Sequence, residues 1–307
     1  MKNQILPKLK NQINERRNTM SKKNEAVQYE TYSAVADAKI AKAVANTTSP
    51  FTITVRFLGG LNAAQRKAFK KAADRWSKVI VGDLPSVVIG GEVIDDILIL
   101  AQGADIDGPG RILGQAGPTR LRPPGAGKAA FIPARGTMSF DTADLKQMEQ
   151  NGTLTDVITH EMGHVLGIGT IWTHKGLLKN AGTSNPTFSG KQGKIEYGKL
   201  KGTGALAIPV ENTGGPGTAD SHWRETIFRS ELMSGFIAAA NNPISAMTVA
   251  SLQDLGYEVD VNAAEPYSLP NLLALAEGGF LIAGDPAMTT GIVLPNIPIV
   301  LPESSMQ

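Results

Sequence analysis

The stretch Thr153–Gly167, TLTDVITHEMGHVLG, leaves this chain little freedom. Leu154, Val157, Ile158, Met162, Val165 and Leu166 recur at the spacing of one helix face, so the segment has to be a helix laid against a core. Thr153 and Asp156 form a Thr-x-x-Asp start signal, in which the hydroxyl caps free backbone N–H groups, and Gly167 supplies a stop. His160 and His164 then stand one turn apart on the same face. Two imidazoles so placed can grip one zinc ion, and Glu161 between them is set to act on a water held there. The chain has only 4 His in 307 residues, so the pattern seldom arises by accident. The plain alternative is a helix that carries two His and no metal.

Composition narrows the class. A hydrophobic share of 42% with 19% charged residues suits a globular enzyme. A net charge of +2 gives no ground for a nucleic-acid partner. The absence of Cys excludes disulfides, thiolate-bound zinc and a thiol nucleophile. The apolar runs Ile94–Ala101 and Phe280–Ala283 are too short to cross a bilayer, and Met1–Asn24 is basic without the apolar stretch of a secretory signal. Localisation stays open between the cytoplasm and secretion by a non-standard route, and nothing in the pattern specifies an oligomer.

Residues 1–48 read as an N-terminal extension, Lys/Arg-rich at first and then Ala-rich and helical over Glu25–Ala45. A flexible tail is the plain reading; a pro-segment over the active site, with Asp37 reaching the metal, is the sharper one. The core begins with a strand at Phe51–Phe57, a helix over Leu61–Ile80 opened by Asn62, and strands at Val87–Ile89 and Ile94–Leu100. Strand, helix, strand implies a parallel pair joined by a crossover. Arg111–Gly117 reads as an edge strand above a cleft, open to an extended peptide through backbone hydrogen bonds. Residues 263–307 alternate Pro-rich and apolar pieces, a tail that packs on the core or mediates association. A third metal ligand has to come from His174 or His222, or from a carboxylate such as Glu211, Glu225 or Glu231.

The motifs HEMGHVLGIG, SHW, ELMSG and SAMTVASLQDLGY, in that order between Phe51 and Val259, resemble the leishmanolysin family of metzincin peptidases. The resemblance implies His222 rather than His174 as the third zinc ligand, and Met233 as packing beneath the ligands. It also implies a zinc-dependent endopeptidase acting on protein or peptide substrates, with Glu161 as general base and then acid. The implied fold is α+β, a metzincin-type catalytic domain. Residues 49–168 would form an upper subdomain with a twisted mixed sheet, an antiparallel edge strand and two long helices. Residues 169–262 would form an irregular lower subdomain with a C-terminal helix, followed by the tail 263–307. DIDGPGRILGQAGP and GTMSFDTAD resemble the loop and strands before the catalytic helix of matrixins. That likeness implies a structural calcium held by the carboxylates of Asp107, Asp141 and Asp144 and the carbonyls of Gly108, Gly110 and Ile112, within the set of about six to eight oxygens that calcium takes. A plain Gly-Pro turn with solvated acids is the alternative. The chain departs from the leishmanolysins in having no Cys and a smaller body. Two other functions fit the same residues: an adhesion or binding protein on this fold, and a closed structural zinc site with His174 as fourth ligand.

Overall fold

The computed structural model describes residues 28–110, 112–215, 217–237, 240–271 and 292–307. The basic N-terminal stretch and the apolar run Phe280–Ala283 lie outside them. The chain divides into two units, Met1–Glu30 and Thr31–Gln307, and the second carries everything that follows.

The strands are β1 (Glu30–Val35), β2 (Thr52–Gly59), β3 (Val87–Ile89), β4 (Glu92–Ile94), β5 (Ile97–Ala104), β6 (Ile112–Leu121), β7 (Pro133–Asp141), β8 (Leu178–Lys179), β9 (Thr187–Phe188), β10 (Ile208–Pro209), β11 (Ile292–Pro295) and β12 (Ile299–Val300). The helices are α1 (Ala38–Ala45), α2 (Ala63–Val79), α3 (Thr142–Asn151), α4 (Leu154–Val165), α5 (Lys191–Leu200), the single turn α6 (Glu225–Phe228) and α7 (Ala246–Leu255).

Alternation makes the main sheet. In β2, Ile53, Val55 and Phe57 point inward while the residues between them are half-exposed. The sheet runs β1-β2-β5-β7-β6-β11, with β12 also on β6. β2, β5 and β7 are parallel neighbours, and β6 is antiparallel to β7. The crossover from β2 to β5 is α2, as strand–helix–strand order requires. Asn62 opens α2 with a reciprocal capping box, its side chain accepting from Gln65 N and the Gln65 side chain accepting from Asn62 N, both at 2.9 Å. Phe69, Ala73 and Trp76 of α2 are buried against the sheet and against α4. Trp76 Nε1 donates to Thr159 O at 2.8 Å, which fixes α2 beside α4.

Five expectations need correction. Thr31–Thr48 belong to the folded unit, so the extension does not run to residue 48. Ala34, Ala36 and Ala41 are buried in the core, and Asp37 is not near a metal site but caps α1, accepting from Lys39 N and Ile40 N. The strand at Val87–Ile89 pairs with β4 as a separate antiparallel hairpin, and the next sheet strand starts only at Ile97. Thr153 caps nothing; its backbone is already helical, and α4 starts where Gly152 breaks α3. Asp156 instead binds Arg75 Nη1 at 3.0 Å and accepts from Asn241 N. Finally, β6 is not an open edge. β11 and β12 of the C-terminal tail pair along its outer side, both parallel.

Below the sheet lies a part with little regular structure. A short three-stranded sheet, β10-β9-β8, and the pair α5 and α7 surround an aromatic cluster. Trp172 stacks on Trp223 with centroids 4.7 Å apart, and Phe188 stands edge-on to Trp223. α7 is the helix expected near the C-terminal end, opened by Ser245, whose hydroxyl accepts from Thr248 N. Among the described residues no helix is long and apolar enough to cross a membrane.

Candidate metal centre

α4 brings His160, Glu161 and His164 to the floor of a cavity of about 1040 Å³. His222 arrives from the loop after β10. Two hydrogen bonds join the loop's two arms, Glu211 N to His222 O and Asp220 N to Glu211 O, both at 2.9 Å. The three imidazole Nε2 atoms stand 3.0 Å (His160–His222), 3.1 Å (His160–His164) and 2.9 Å (His164–His222) apart.

Each ring's other nitrogen is committed to a backbone carbonyl. His160 Nδ1 donates to Leu232 O at 2.6 Å, His164 Nδ1 to Ile168 O at 2.9 Å and His222 Nδ1 to Thr218 O at 2.9 Å. A neutral imidazole with its proton on Nδ1 has a bare lone pair on Nε2. Burial drives all three towards that neutral form: His160 is pushed down to about 3, His164 to about 4 and His222 well below the ordinary value. Three lone pairs therefore converge on one point, a donor set suited to a cation. Tetrahedral zinc with Zn–N bonds of about 2.0–2.1 Å sets its ligand nitrogens about 3.3 Å apart, so the donor set fits that ion. His174 is exposed, with its ring against Phe131, and takes no part.

Glu161 is 7% exposed, and no described residue donates a hydrogen bond to its carboxylate. Burial raises its pKa to about 8 in the metal-free protein.

The turn beneath the histidines, which the ELMSG motif indicates through its family resemblance, is held by tertiary packing. Met233 is fully buried, with its thioether against Gly163 of α4. Its neighbour Leu232 supplies the carbonyl that orients His160. Glu231, weighed from sequence as a ligand, is wholly buried and holds the turn instead. It accepts from Met233 N at 2.6 Å, from Ser245 N at 3.1 Å, from Ser245 Oγ at 2.7 Å and from Thr248 Oγ1. Glu211 does the same for the His222 loop, accepting from Asn212 N, Thr213 N, Thr213 Oγ1 and Glu225 N. Glu225 accepts from Phe236 N. None of these three carboxylates belongs to the histidine cluster.

The acidic loop does not assemble as a cation cage. Asp141 Oδ2 accepts from the N–H groups of Ile106, Asp107 and Gly108, and its Oδ1 accepts from Ala143 N. Asp144 Oδ1 accepts from Gly110 N, and Asp107 Oδ1 from Ile112 N. The loop presents N–H groups to the carboxylates, where calcium would need carbonyls, and Asp107, Asp141 and Asp144 form no close cluster of ligand atoms. Burial would raise the Asp141 carboxyl, but the four N–H donors outweigh it and the net shift is downward.

Three imidazoles around one point, with a carboxylate beside them, form a candidate single-ion metal site on an α+β fold. The Leishmanolysin peptidase family model matches residues 129–276, a stretch that contains His160, Glu161, His164, His222 and Met233. Leishmanolysin of Leishmania tropica is 30% identical over 142 residues, covering 43% of this chain and 21% of that protein. Leishmanolysin of Leishmania chagasi is 31% identical over 143 residues, 43% of this chain and 23% of that protein. The chain is leishmanolysin-like, akin to a family of zinc metallopeptidases, and it spans under a quarter of the length of these curated relatives.

Proposed function

We propose that this chain is a zinc-dependent endopeptidase of metzincin type. The sheet and α4 form the upper wall of its cleft, and the segment carrying His222 and Met233 forms the lower wall. The observation that carries the reading is the convergence of three neutral Nε2 lone pairs beside one uncommitted carboxylate. His160, His164 and His222 would hold the ion. When bound, zinc supplies a Lewis acid that lowers the pKa of water and polarises a carbonyl.

The protein's residues do the rest. Leu232 O, Ile168 O and Thr218 O hold the imidazoles in the tautomer that leaves Nε2 free. Glu161 takes a proton from the attacking water and passes it to the leaving amine nitrogen. A positive ion nearby would favour its charged form and bring its pKa down from the metal-free value, towards that of a base working near neutral pH. Proteins and extended peptides are the substrates this reading implies.

A binding protein without turnover is the competing reading, and the carboxylate of Glu161, which lines the cavity and takes no hydrogen bond from any described residue, speaks against it. The test is casein hydrolysis by zinc-loaded wild type and Glu161→Gln side by side. Wild type is expected to cleave, and the variant to hold zinc at full stoichiometry while losing at least about a hundredfold in rate, the typical share of a general base. Equal rates in the two proteins would remove Glu161 from the mechanism.

A further inference from the structure

The C-terminal tail does not simply pack on the body; one piece of it lies in the cleft. β11 runs parallel to β6, with Val293 beside Gly114, Leu294 beside Gln115 and Pro295 beside Ala116. Asn296 Nδ2 then donates to Gly117 O at 3.1 Å and to Thr137 Oγ1 at 2.9 Å, which ties the segment across both β6 and β7. On its other side stands the loop that aims His222. A Cβ placed on Gly217 would lie 3.3 Å from Val293 O and 3.5 Å from Pro295 Cδ. Val293, Pro295 and Asn296 line the same cavity as Glu161 and the three His. Beyond it, β12 pairs with Arg120 and Leu121, and Met306 bridges to Val87, so the far end is anchored to the body.

We infer that the slot between β6 and the Gly217–Thr218 loop is a peptide-binding groove, and that the chain's own segment 292–296 occupies it as a resident competitor of substrate. The groove takes extended apolar peptide. Its backbone groups on β6 are those any extended ligand would use, and they are already taken. The pairing covers Ile112 to Ala116 of β6 and ends at a side-chain clasp, as a held ligand would. The clasp is weak enough to release, since it rests on a four-residue strand and one amide, with Ile297 beyond it 93% exposed. The segment also lies outside the residues that match the family model. The groove itself is argued from strand pairing alone; its effect on turnover rests on the peptidase reading above.

The test uses the full-length zinc-loaded chain with the clasp loosened, as Val293→Asp/Asn296→Ala, and as Asn296→Ala alone should the double variant misfold. The probe is a fluorescein-labelled peptide of residues 291–301, read by anisotropy in a Glu161→Gln background so that nothing is cleaved. Asn296→Ala alone removes two hydrogen bonds at about 1 kcal/mol net each and should tighten probe binding about thirtyfold over the unloosened chain, and the double variant, which also loses the Val293 packing, should tighten it further. With Glu161 intact, KM for casein should fall in parallel while kcat stays. A folded, zinc-replete loosened variant that binds the probe no better overturns the inference, even if casein is cleaved. Tighter probe binding without casein cleavage in any form supports the groove and sinks the peptidase reading instead.

Discussion

At Gly163 the metal-binding helix comes as close to its support as backbone allows. A Cβ there would lie 2.7 Å from Met233 Sδ and 3.0 Å from Trp76 Cζ2, so only glycine lets α4 settle on the turn that orients His160. Gly167, with φ of +109°, turns the chain so that Ile168 O meets His164 Nδ1. Ligand identity belongs to this scale. His222→Ala should abolish stoichiometric zinc binding and His174→Ala should leave it untouched, as elemental analysis of dialysed protein will read. The titration of the metal-free site runs in two directions. His160 and His164 have folded pKa values near 3 and 4 against an ordinary 6.5, so the unfolded chain binds more protons and stability falls as pH drops below about 6.5. Glu161 is raised to about 8, so the folded chain holds the extra proton and stability falls as pH rises from its ordinary 4.5 through 8. Calorimetry of zinc-free protein across that range should show both declines, with the alkaline one reduced in Glu161→Gln.

Among the elements, the join between the turn at Met233 and α7 is the one on which the site depends. Glu231 accepts hydrogen bonds from both sides of that join, and burial pushes its carboxyl up while the Thr248 and Ser245 hydroxyls and the Met233 and Ser245 N–H groups pull it back. Removing it in Glu231→Ala strands those donors in the core. The expected loss is about 2–4 kcal/mol by urea unfolding, since buried donors left unsatisfied cost about 1–3 kcal/mol each with partial relaxation. Zinc affinity should fall with it, because Leu232 O no longer fixes His160. The other join is at Arg75 on α2, which reaches Asp156 on α4, Asn242 O and Glu265. It ties the start of the metal-binding helix to the chain on either side of α7.

For the whole molecule, an ion held by the three histidines would link the zinc-motif helix to the His222 loop. His160 and His164 sit on a helix packed beneath the sheet, and His222 sits on a loop of the lower part. A ligand that binds only the folded state adds stability as RT ln(1 + [L]/Kd), about 4 kcal/mol at a thousandfold excess over Kd. Stripping zinc should therefore lower Tm by many degrees. Excess calcium added to the zinc-loaded chain should not move it, because the Asp141 carboxylate is already saturated with N–H groups. A calcium-dependent rise in Tm would show a cation site that this loop geometry lacks.

Much was legible in residues 153–167 because helix periodicity and ligand spacing share one local rule: what lies four residues on lies one turn up. The helix opened by Asn62, the crossover between β2 and β5 and the α7 helix are local patterns of the same kind, and they stand as read. What failed was non-local. Thr153 and Asp156 match a start signal by spacing, yet Asp156 faces Arg75, which no local pattern reveals. Asp107, Asp141 and Asp144 have the residue types of a calcium loop, but whether N–H or C=O groups turn inward is decided by backbone dihedrals. Glu231 and Arg122 are charged and wholly buried, against the ordinary rule, because partners distant in sequence receive them. The choice of His222 over His174 needed a long Gly-rich loop to close. The covering of β6 by β11 needed a strand from the far end of the chain. The sequence by itself determined the helices, the alternation of the strands and the placing of His160, Glu161 and His164 on one helix, because those depend on neighbours along the chain. The third ligand, the turn beneath it and the occupant of the cleft were decided only in the tertiary structure, because each is a meeting of segments whose separation along the chain carries no record of their distance in space.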